Sequence, residues 1–253
     1  MYHDVTPSGF NSRGRPDNYA VSADQFHSHL DALATTGRSV VSVNEWSRGR
    51  CKDAIVLTFD DGWAGTLTHG FPALRPRGWG ATLFVTRDFI GQPGFCTIDD
   101  LGRAAEAGLD LGVHGCTHRL FETLSDDEIA SELGDCREFL LRELGVDAVT
   151  ASAPGGSWRP SMIPIARSVG LTAVACSRPT VNHRSTNRFD LGRVAIRSNT
   201  TTRDIRRYGA FKVGRDALRF HALNVPRTIL GPERYAATRR AGLTAMRSLL
   251  RRH

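Results

Sequence analysis

Short apolar runs alternate with longer amphipathic stretches along most of this chain. The runs predict strands at residues 40–43, 55–59, 81–85, 109–113, 149–151, 173–176 and 194–196. Apolar residues at three- and four-residue spacing predict helices at about residues 22–37, 98–107, 125–144 and 160–169. Because the connections are short, this alternation predicts parallel strands with helices outside, and loops at the strand C-termini that carry the chemistry.

Two of the predicted helices begin with a capping-box pattern. Ser22-Ala-Asp-Gln25 precedes the first helix, and Ser125-Asp-Asp-Glu128 precedes the longest one. The first helix then carries an apolar stripe and is expected to end near Gly37. The stripe consists of Phe26, Leu30 and Leu33.

Two adjacent carboxylates follow one predicted strand directly. The apolar and β-branched run Ile55-Val-Leu-Thr-Phe59 leads into Asp60 and Asp61, and Gly62 then permits a sharp turn. Neighbouring residues at a strand end point in different directions. One carboxylate could therefore bind a metal while the other acts as a base. A pair that merely caps the following helix is the alternative.

Two histidines end another predicted strand. Leu111-Gly-Val113 leads into His114, and His118 follows four positions later. Two imidazoles at this spacing can converge on one ion from a helical turn or a tight loop. With Asp61 they offer two nitrogens and one oxygen and leave positions open for solvent, which is typical of a catalytic metal site.

These two motifs resemble those of the NodB-homology polysaccharide deacetylases, carbohydrate esterase family 4. Thr58-Phe-Asp-Asp-Gly62 resembles the first motif of that family, and His114-Gly-Cys-Thr-His118 resembles the second. The resemblance spans roughly residues 1–200. It implies that Asp60 is the catalytic base and that Asp61, His114 and His118 hold one divalent ion, usually zinc and sometimes cobalt or nickel.

A third stretch matches the family only in part. Where the family has arginine, any residue, proline, an aromatic and glycine, this chain has Ser152-Ala-Pro-Gly-Gly156. The resemblance implies that the backbone N–H of Gly155 donates to the oxyanion. It also implies that Pro154, Gly156 and Trp158 contact substrate, with Trp158 replacing the missing aromatic. Ser152 stands where the arginine would be, and an ordinary Pro-Gly loop is the alternative.

The general acid is not marked by the usual late motif of the family, which is leucine, any residue and histidine. Leu218-Arg-Phe-His221 has the wrong spacing. The opening Met1-Tyr-His-Asp-Val5 is instead similar to the poly-N-acetylglucosamine deacetylase branch, whose barrel is circularly permuted. That similarity implies His3 as the acid, with His183 and His221 as alternatives.

The family resemblance and the strand–helix alternation together predict an α/β fold. We expect a distorted (β/α)7-type barrel of parallel strands with outer helices at residues 1–200, and a C-terminal helical extension packed on it at residues 201–253. Residues 177–190 lack periodicity. They are expected to form either a loop beside the substrate or a surface loop without a role in binding.

The formal charge of +7 changes this picture little. Lys52 and Lys212 are the only lysines, and no basic-aromatic pattern accompanies the arginines, so no nucleic-acid partner is predicted. From about Glu233 onward, apolar residues are spaced helically among arginines. Such a basic amphipathic helix either lies on an anionic membrane or packs its leucines on the barrel, and packing is favoured.

The cysteines and the N-terminal composition indicate the setting. Five cysteines at irregular positions argue against a disulfide framework, and ligation by Cys116 is disfavoured. No signal peptide or membrane-spanning stretch is recognisable, which predicts a cytoplasmic location. The sequence does not indicate an oligomeric state.

The resulting hypothesis is a metal-dependent hydrolase that removes the acetyl group from an N-acetylated sugar. The expected substrate is a glycan, glycolipid or nucleotide-linked intermediate of cell-envelope or exopolysaccharide synthesis. Two alternatives stay open: an amidase or cyclic-imide hydrolase on the same scaffold, and a degenerate sugar-binding module.

Overall fold

The computed structural model describes residues 1–8, 18–49, 51 and 53–230, with the backbone alone for residues 223–230. The strands of this part are β1 (Asp4–Thr6), β2 (Ala20–Ser22), β3 (Val40–Val41), β4 (Ile55–Val56), β5 (Thr58–Phe59), β6 (Thr82–Val85), β7 (Asp110–Val113), β8 (Thr150–Ser152) and β9 (Ala173–Ala175). The helices are α1 (Ala23–Ala34), α2 (Val43–Ser47), α3 (Phe71–Leu74), α4 (Ile98–Glu106), α5 (Asp126–Leu144), α6 (Ile163–Ser168), α7 (Thr202–Gly209) and α8 (Gly214–Leu230).

A parallel sheet in the order β5-β6-β7-β8-β9 forms the centre of the fold. At one edge, Tyr2 bridges Phe59 of β5, and at the other, Leu191 bridges Ala175 of β9. The chain beyond Leu191 then reaches the first edge, because the Ile196 N–H donates to the carbonyl of Met1 over 2.8 Å. These bonds curl the sheet into a barrel-like form with helices outside.

The strands of this sheet are buried on both faces, as expected of a parallel sheet covered by helices. Phe59, Leu83, Phe84, Val113 and Val174 are all fully buried. Burial of a side chain of this size contributes about 1.5 to 3 kcal/mol. The carboxylates and the histidines therefore lie at the ends of strands that are fixed from both sides.

Helix caps follow the predicted patterns with one difference. Ser125 and Glu128 form the complete capping box of α5, which ends at the left-handed Gly145. Ser22 accepts a hydrogen bond from the backbone N–H of Gln25. The side-chain amide of Gln25 donates to the carbonyls of Ser198 and Thr200, so it does not complete the capping box with Ser22. That amide thereby ties α1 to the segment before α7.

Two strand predictions were wrong. The strand predicted at residues 40–43 stops at Val41, because Ser42 is the N-cap of α2 and forms a capping box with Glu45. The pattern Ser42-Val-Asn-Glu45 was the overlooked signal. No regular strand forms at residues 194–196, where the backbone bonds to Met1 and the ladder with β9 is confined to Leu191.

The C-terminal part is described only up to residue 230. Helix α7 lies against α1, with Gly209 close to Thr36 and Leu33. The amphipathic helix predicted from Glu233 onward lies outside the described residues, and the domain boundary near residue 200 stays a prediction. Among the helices that are described, none is both long and apolar enough to cross a membrane.

Replacing Gly112 by alanine tests the packing that positions the histidine strand. A Cβ there would lie 2.5 Å from a ring carbon of Phe84 and 2.9 Å from the carbonyl of Thr150. We expect Gly112→Ala to lower the free energy of unfolding by about 1 to 3 kcal/mol, because overpacking forces neighbours to shift. Urea unfolding followed by circular dichroism measures the change.

Gly102→Ala is the matched control. It lies in α4, and its new methyl group would meet Leu144 at an ordinary 3.5 Å. Alanine is the better helix former by about 1 kcal/mol, so this variant should be as stable as the parent or slightly more so. An unchanged unfolding midpoint for Gly112→Ala would contradict the described packing.

Candidate active site

Three predicted metal ligands converge at the C-terminal edge of the sheet. Oδ1 of Asp61 lies 3.2 Å from Nε2 of His114 and 3.2 Å from Nε2 of His118, and the ligand atoms all lie within 4.8 Å of one another. This Asp61 oxygen is buried and has no hydrogen-bond partner among the described residues. A buried oxygen without a donor, facing two imidazole nitrogens, fits a bound divalent cation.

The ring of His114 is oriented by the neighbouring strand. Its Nδ1 lies 3.0 Å from the carbonyl oxygen of Ser152 and 2.6 Å from the hydroxyl of the same residue. A carbonyl can only accept, so when Nδ1 of the neutral ring donates to it, Nε2 keeps its lone pair for an ion. Ser152, which occupies the position of the family arginine, therefore acts on a histidine.

The second oxygen of Asp61 is held by an indole. The Nε1–H of Trp63 donates to Oδ2 over 3.0 Å, which leaves Oδ1 turned toward the histidines. Burial alone would raise the pKa of Asp61. The nearby imidazoles of His114 and His118 outweigh that effect and hold the pKa of Asp61 well below its usual range. The carboxylate is therefore ionised and ready to coordinate.

Two of the three predicted ligands have left-handed backbone. Asp61 has φ of 76° and His118 has φ of 62°, which residues other than glycine rarely adopt. Each such conformation costs of order 1 to 3 kcal/mol and persists only where surrounding contacts impose it. Strain of this kind clusters at functional sites, and here it falls on two of the three predicted ligands.

Asp60 takes a different partner from its neighbour. Nη1 and Nη2 of Arg193 donate to its two oxygens over 2.7 and 2.8 Å, and both side chains are buried. Burial would raise the pKa of Asp60, but the bidentate arginine lowers it below its ordinary value. Asp60 is thus an ionised acceptor directly beside the proposed ligand set.

Arg193 supplies a guanidinium beside Asp60, although the third motif has Ser152 in place of an arginine. Its Nε–H donates to the carbonyl of Cys176 over 3.1 Å, and Nη1 also reaches the hydroxyl of Thr58. These bonds fix the guanidinium plane against Asp60. Arg193 was not among the predicted site residues, although a single arginine within the apolar segment of residues 191–196 was an available signal.

His3 lies on the same side of the barrel as Asp60. The bridge between Tyr2 and Phe59 puts the two residues that follow, His3 and Asp60, next to each other. The Nδ1 atom of His3 is buried without a hydrogen-bond partner among the described residues, and the ring packs on Tyr19 with centroids 4.4 Å apart. Burial lowers its pKa, while the charges of Asp60 and Asp61 oppose that shift.

Neither of the alternative acids is buried. His183 is exposed in the loop after β9, and His221 is exposed on α8. Cys116, between the two histidines, turns its thiol to the carbonyl of Glu132 on α5 at 3.5 Å, and burial raises the pKa of that thiol to about 12. His3 is therefore the predicted acid that is close enough to Asp60 and Asp61 for their charges to affect its pKa, and its catalytic role stays a prediction.

Three partly exposed aromatic rings lie beside the ligands. Trp63 stacks on Phe95 with ring centroids 4.1 Å apart, Phe95 contacts Phe89 at 4.7 Å, and Phe89 contacts His118 at 5.5 Å. The rings come from the loops after β5 and β6. We call Trp63, Phe89 and Phe95 the aromatic cluster; none of the three was among the predicted site residues.

The loop of the partial third motif adopts the expected tight turn. Gly155 is exposed with φ of 63°, and Leu120 lies so close that an added Cβ would meet it at 2.5 Å. Pro154 is buried, and Gly156 packs against Ser177. The oxyanion role of Gly155 and the substrate roles of Pro154 and Gly156 stay predictions.

Trp158 does not form an open aromatic wall. Its side chain is only 6% exposed and packs edge-on against Phe121 in the core. Because the ring is buried, any contact with substrate would be limited to a small part of its surface. Its Nε1 is buried without a hydrogen-bond partner among the described residues, and its substrate role stays a prediction.

Comparison with known proteins identifies one family. A family model described as polysaccharide deacetylase matches residues 47–174, half of the chain. YxkH of Bacillus subtilis (strain 168), a protein named for the same family, is 23% identical over 202 residues, which cover 78% of this chain and 70% of YxkH. Both matches include the two motifs that carry the carboxylates and the histidines.

Solved structures share the fold. Streptococcus pyogenes deacetylase PplD in complex with acetate has a TM-score of 0.73 at 20% identity and covers 81% of this chain and 94% of its own. IcaB from Ammonifex degensii has a TM-score of 0.69 at 23% identity, with coverage of 82% and 96%. The predicted barrel-like α/β fold is thereby confirmed.

Replacing Arg193 by methionine tests the pairing with Asp60. A buried carboxylate that loses its partner should lower the free energy of unfolding by about 3 to 5 kcal/mol at pH 7. In the parent the pKa of Asp60 is lowered, so its contribution is present above about pH 4 and is lost as the pH falls further. Without the guanidinium, burial raises that pKa, and the variant loses stability as the pH rises from 4 to 7.

Urea unfolding at several pH values measures the difference between the parent and Arg193→Met. The difference in the free energy of unfolding between the two proteins should be smallest near pH 4 and should grow toward pH 7. Arg203→Met, at an exposed position of α7, is the matched control and should show no such trend. A loss that is equal at pH 4 and pH 7 would mean that Asp60 does not depend on Arg193 for its charge.

Proposed function

Because the chain belongs to the polysaccharide deacetylase family, whose members act on acetylated carbohydrates, we propose that it removes the acetyl group from an N-acetylated sugar by metal-dependent hydrolysis. The observation that carries the proposal is the convergence of Asp61 Oδ1, His114 Nε2 and His118 Nε2 beside an Asp60 held by Arg193. The proposed cofactor is one divalent ion, with zinc preferred over cobalt or nickel because two imidazoles and one carboxylate suit it.

Asp61, His114 and His118 would hold the ion. An ion bound there would lower the pKa of water and would polarise the acetyl carbonyl. The Ser152 contact keeps the proton of His114 on Nδ1, and the Trp63 contact keeps Oδ1 of Asp61 turned inward. The chain therefore supplies ligand atoms that are oriented before any ion arrives.

Asp60 is the proposed general base. Its carboxylate is ionised, and Arg193 prevents it from rotating away. It takes the proton of the water that attacks the acetyl carbonyl. The N–H of Gly155 donates to the carbonyl oxygen as that atom becomes negative.

His3 is the proposed general acid. It gives a proton to the sugar nitrogen as the bond between carbon and nitrogen breaks, and the products are acetate and a free amine. Support comes from its position next to Asp60 and from its Nδ1, which has no hydrogen-bond partner among the described residues. Asp60 then gives up the proton that it took from water, and His3 regains a proton, either from Asp60 or from solvent.

The aromatic cluster supports a sugar substrate. Partly exposed rings beside a polar site can contact the apolar face of a pyranose, while nearby polar groups fix its orientation. We propose that the substrate is an N-acetylated glycan, glycolipid or nucleotide-linked sugar of cell-envelope or exopolysaccharide synthesis. The cytoplasmic location and membrane contact through the C-terminal helix remain predictions.

Acetate release from N-acetylglucosamine oligomers tests the proposed reaction. We expect release by the parent protein, loss on treatment with a chelator, and recovery on addition of Zn²⁺ or Co²⁺. Asp60→Asn should lower kcat by about 10² to 10⁴-fold, because it removes the base. Metal content of the purified protein is measured in parallel.

Asp127→Asn makes the same chemical change in the exposed first turn of α5 and should keep full activity. Full activity of Asp60→Asn, or no metal in a protein that still binds the oligomers, would overturn the proposal. The second result would favour a sugar-binding module without catalysis.

His3→Gln tests the acid by comparing two leaving groups. An amine must be protonated as it leaves, whereas the phenolate of 4-nitrophenyl acetate leaves without a proton. Loss of a general acid should therefore lower kcat on the acetamido sugar by about 10² to 10⁴-fold and affect the ester much less. Equal losses on both substrates would show that His3 serves another purpose, and His183→Gln is the matched control.

A further inference from the structure

One buried carboxylate next to the candidate active site has no role in the proposed reaction. Glu132 lies on the face of α5 that packs against the barrel, and only 7% of it is exposed. Its neighbours on that face are apolar: Ile129, Leu133, Cys136 and Leu140. A glutamate is rarely buried among apolar residues unless other groups bind its carboxylate, so the contacts of Glu132 indicate its role.

Within the described part of the chain, the hydrogen bonds that the Glu132 carboxylate accepts come from the loop between the two histidines. Oε2 accepts from the backbone N–H of Cys116 over 2.6 Å and from that of Thr117 over 2.9 Å. Oε1 accepts from the hydroxyl of Thr117 over 2.5 Å. The carboxylate therefore binds the middle of the segment whose two ends are the proposed ligands His114 and His118.

The shape of the loop depends on the same contact. Gly115 has φ of 84°, and a Cβ added there would lie 2.7 Å from Oε2 of Glu132, so the backbone closes tightly over the carboxylate. His118 follows with its own left-handed φ of 62°. The N–H groups of Arg87 and Asp88 donate to the carbonyls of Gly115 and Cys116, whereas the N–H groups of Cys116 and Thr117 are held by Glu132.

We propose that Glu132 is a positioning residue that holds the loop from His114 to His118 in its ion-binding form before the ion arrives. The ion-binding part of this inference rests on the proposed function, whereas the loop-holding part does not. Hydrogen bonds to a carboxylate are roughly twice as strong as neutral ones, which suits a buried anchor. The two imidazoles can then converge at a spacing of four residues without a helix.

The test uses three variants of the full chain. Glu132→Ala removes the acceptor, and Glu132→Gln keeps an acceptor oxygen of similar size but removes the charge. Leu133→Ala is the matched control, because it creates a cavity at the next buried position of α5 and its side chain cannot accept a hydrogen bond from the loop. The glutamine variant also keeps the test informative if the alanine variant does not fold.

Hydrogen exchange of the metal-free proteins gives the first readout. Peptides covering residues 114–118 should exchange at least tenfold faster in Glu132→Ala than in the parent, and Glu132→Gln should fall between them. Leu133→Ala should leave these peptides unchanged relative to the rest of the barrel. Exchange at residues 114–118 that is the same in Glu132→Ala and Leu133→Ala would overturn the inference.

Titration with Co²⁺ gives the second readout. Loss of a group that orients metal ligands typically costs about 10- to 100-fold in metal affinity, and we expect that range for Glu132→Ala, with a changed Co²⁺ absorption spectrum. An affinity and spectrum like those of Leu133→Ala would contradict the ion-binding part. If the parent binds no Co²⁺, or if binding survives His118→Ala, the proposed function fails, while hydrogen exchange still decides whether Glu132 holds the loop.

Discussion

The buried ion pair between Asp60 and Arg193 is the interaction on which the rest of the site depends. It joins the end of β5 to a segment 133 residues later, which contacts both edges of the sheet. Two buried charges lose several kcal/mol of hydration each, and only excellent geometry offsets that loss. Here both carboxylate oxygens are used, and Thr58 and Cys176 accept from two further N–H groups of the guanidinium. The pair therefore holds the segment around Arg193 against the end of β5 and, at the same time, orients Asp60, the proposed base.

The same pair separates two chemically identical neighbours. Asp60 points to a cation supplied by the protein, and Asp61, with a left-handed backbone, points to two imidazoles and an indole. Both carboxyl groups have lowered pKa values, but for different reasons, since Arg193 acts on one and the histidines on the other. One carboxylate is consequently free to coordinate an ion while the other accepts a proton. A strand end that turns sharply at Gly62 makes this division possible.

Local patterns predicted much of this arrangement, and long-range pairing limited the rest. The strand runs and capping boxes located most elements, and the two motifs located the carboxylates and histidines, because these features depend on residues a few positions apart. Arg193 could not be assigned from spacing, since its partner lies in another element and the segment around it forms no regular strand. Ser42 likewise ended a strand early through a cap that competes with strand propensity. Predictions failed where a side chain far along the chain, or a competing local hydrogen bond, decided the outcome.

Each proposed ligand or base is oriented by a residue from a different part of the fold. Arg193 holds Asp60 and Ser152 holds His114, while Trp63 holds Asp61 and Glu132 holds the loop that ends at His118. A site assembled in this way bears its backbone strain before any ion or substrate binds, so little reorganisation is left for the reaction itself. Short sequence motifs identify the reactive groups of such a site. The geometry of those groups depends on partners that the barrel brings from other strands and helices, and relatives with the same motifs can therefore differ in the residues that orient them.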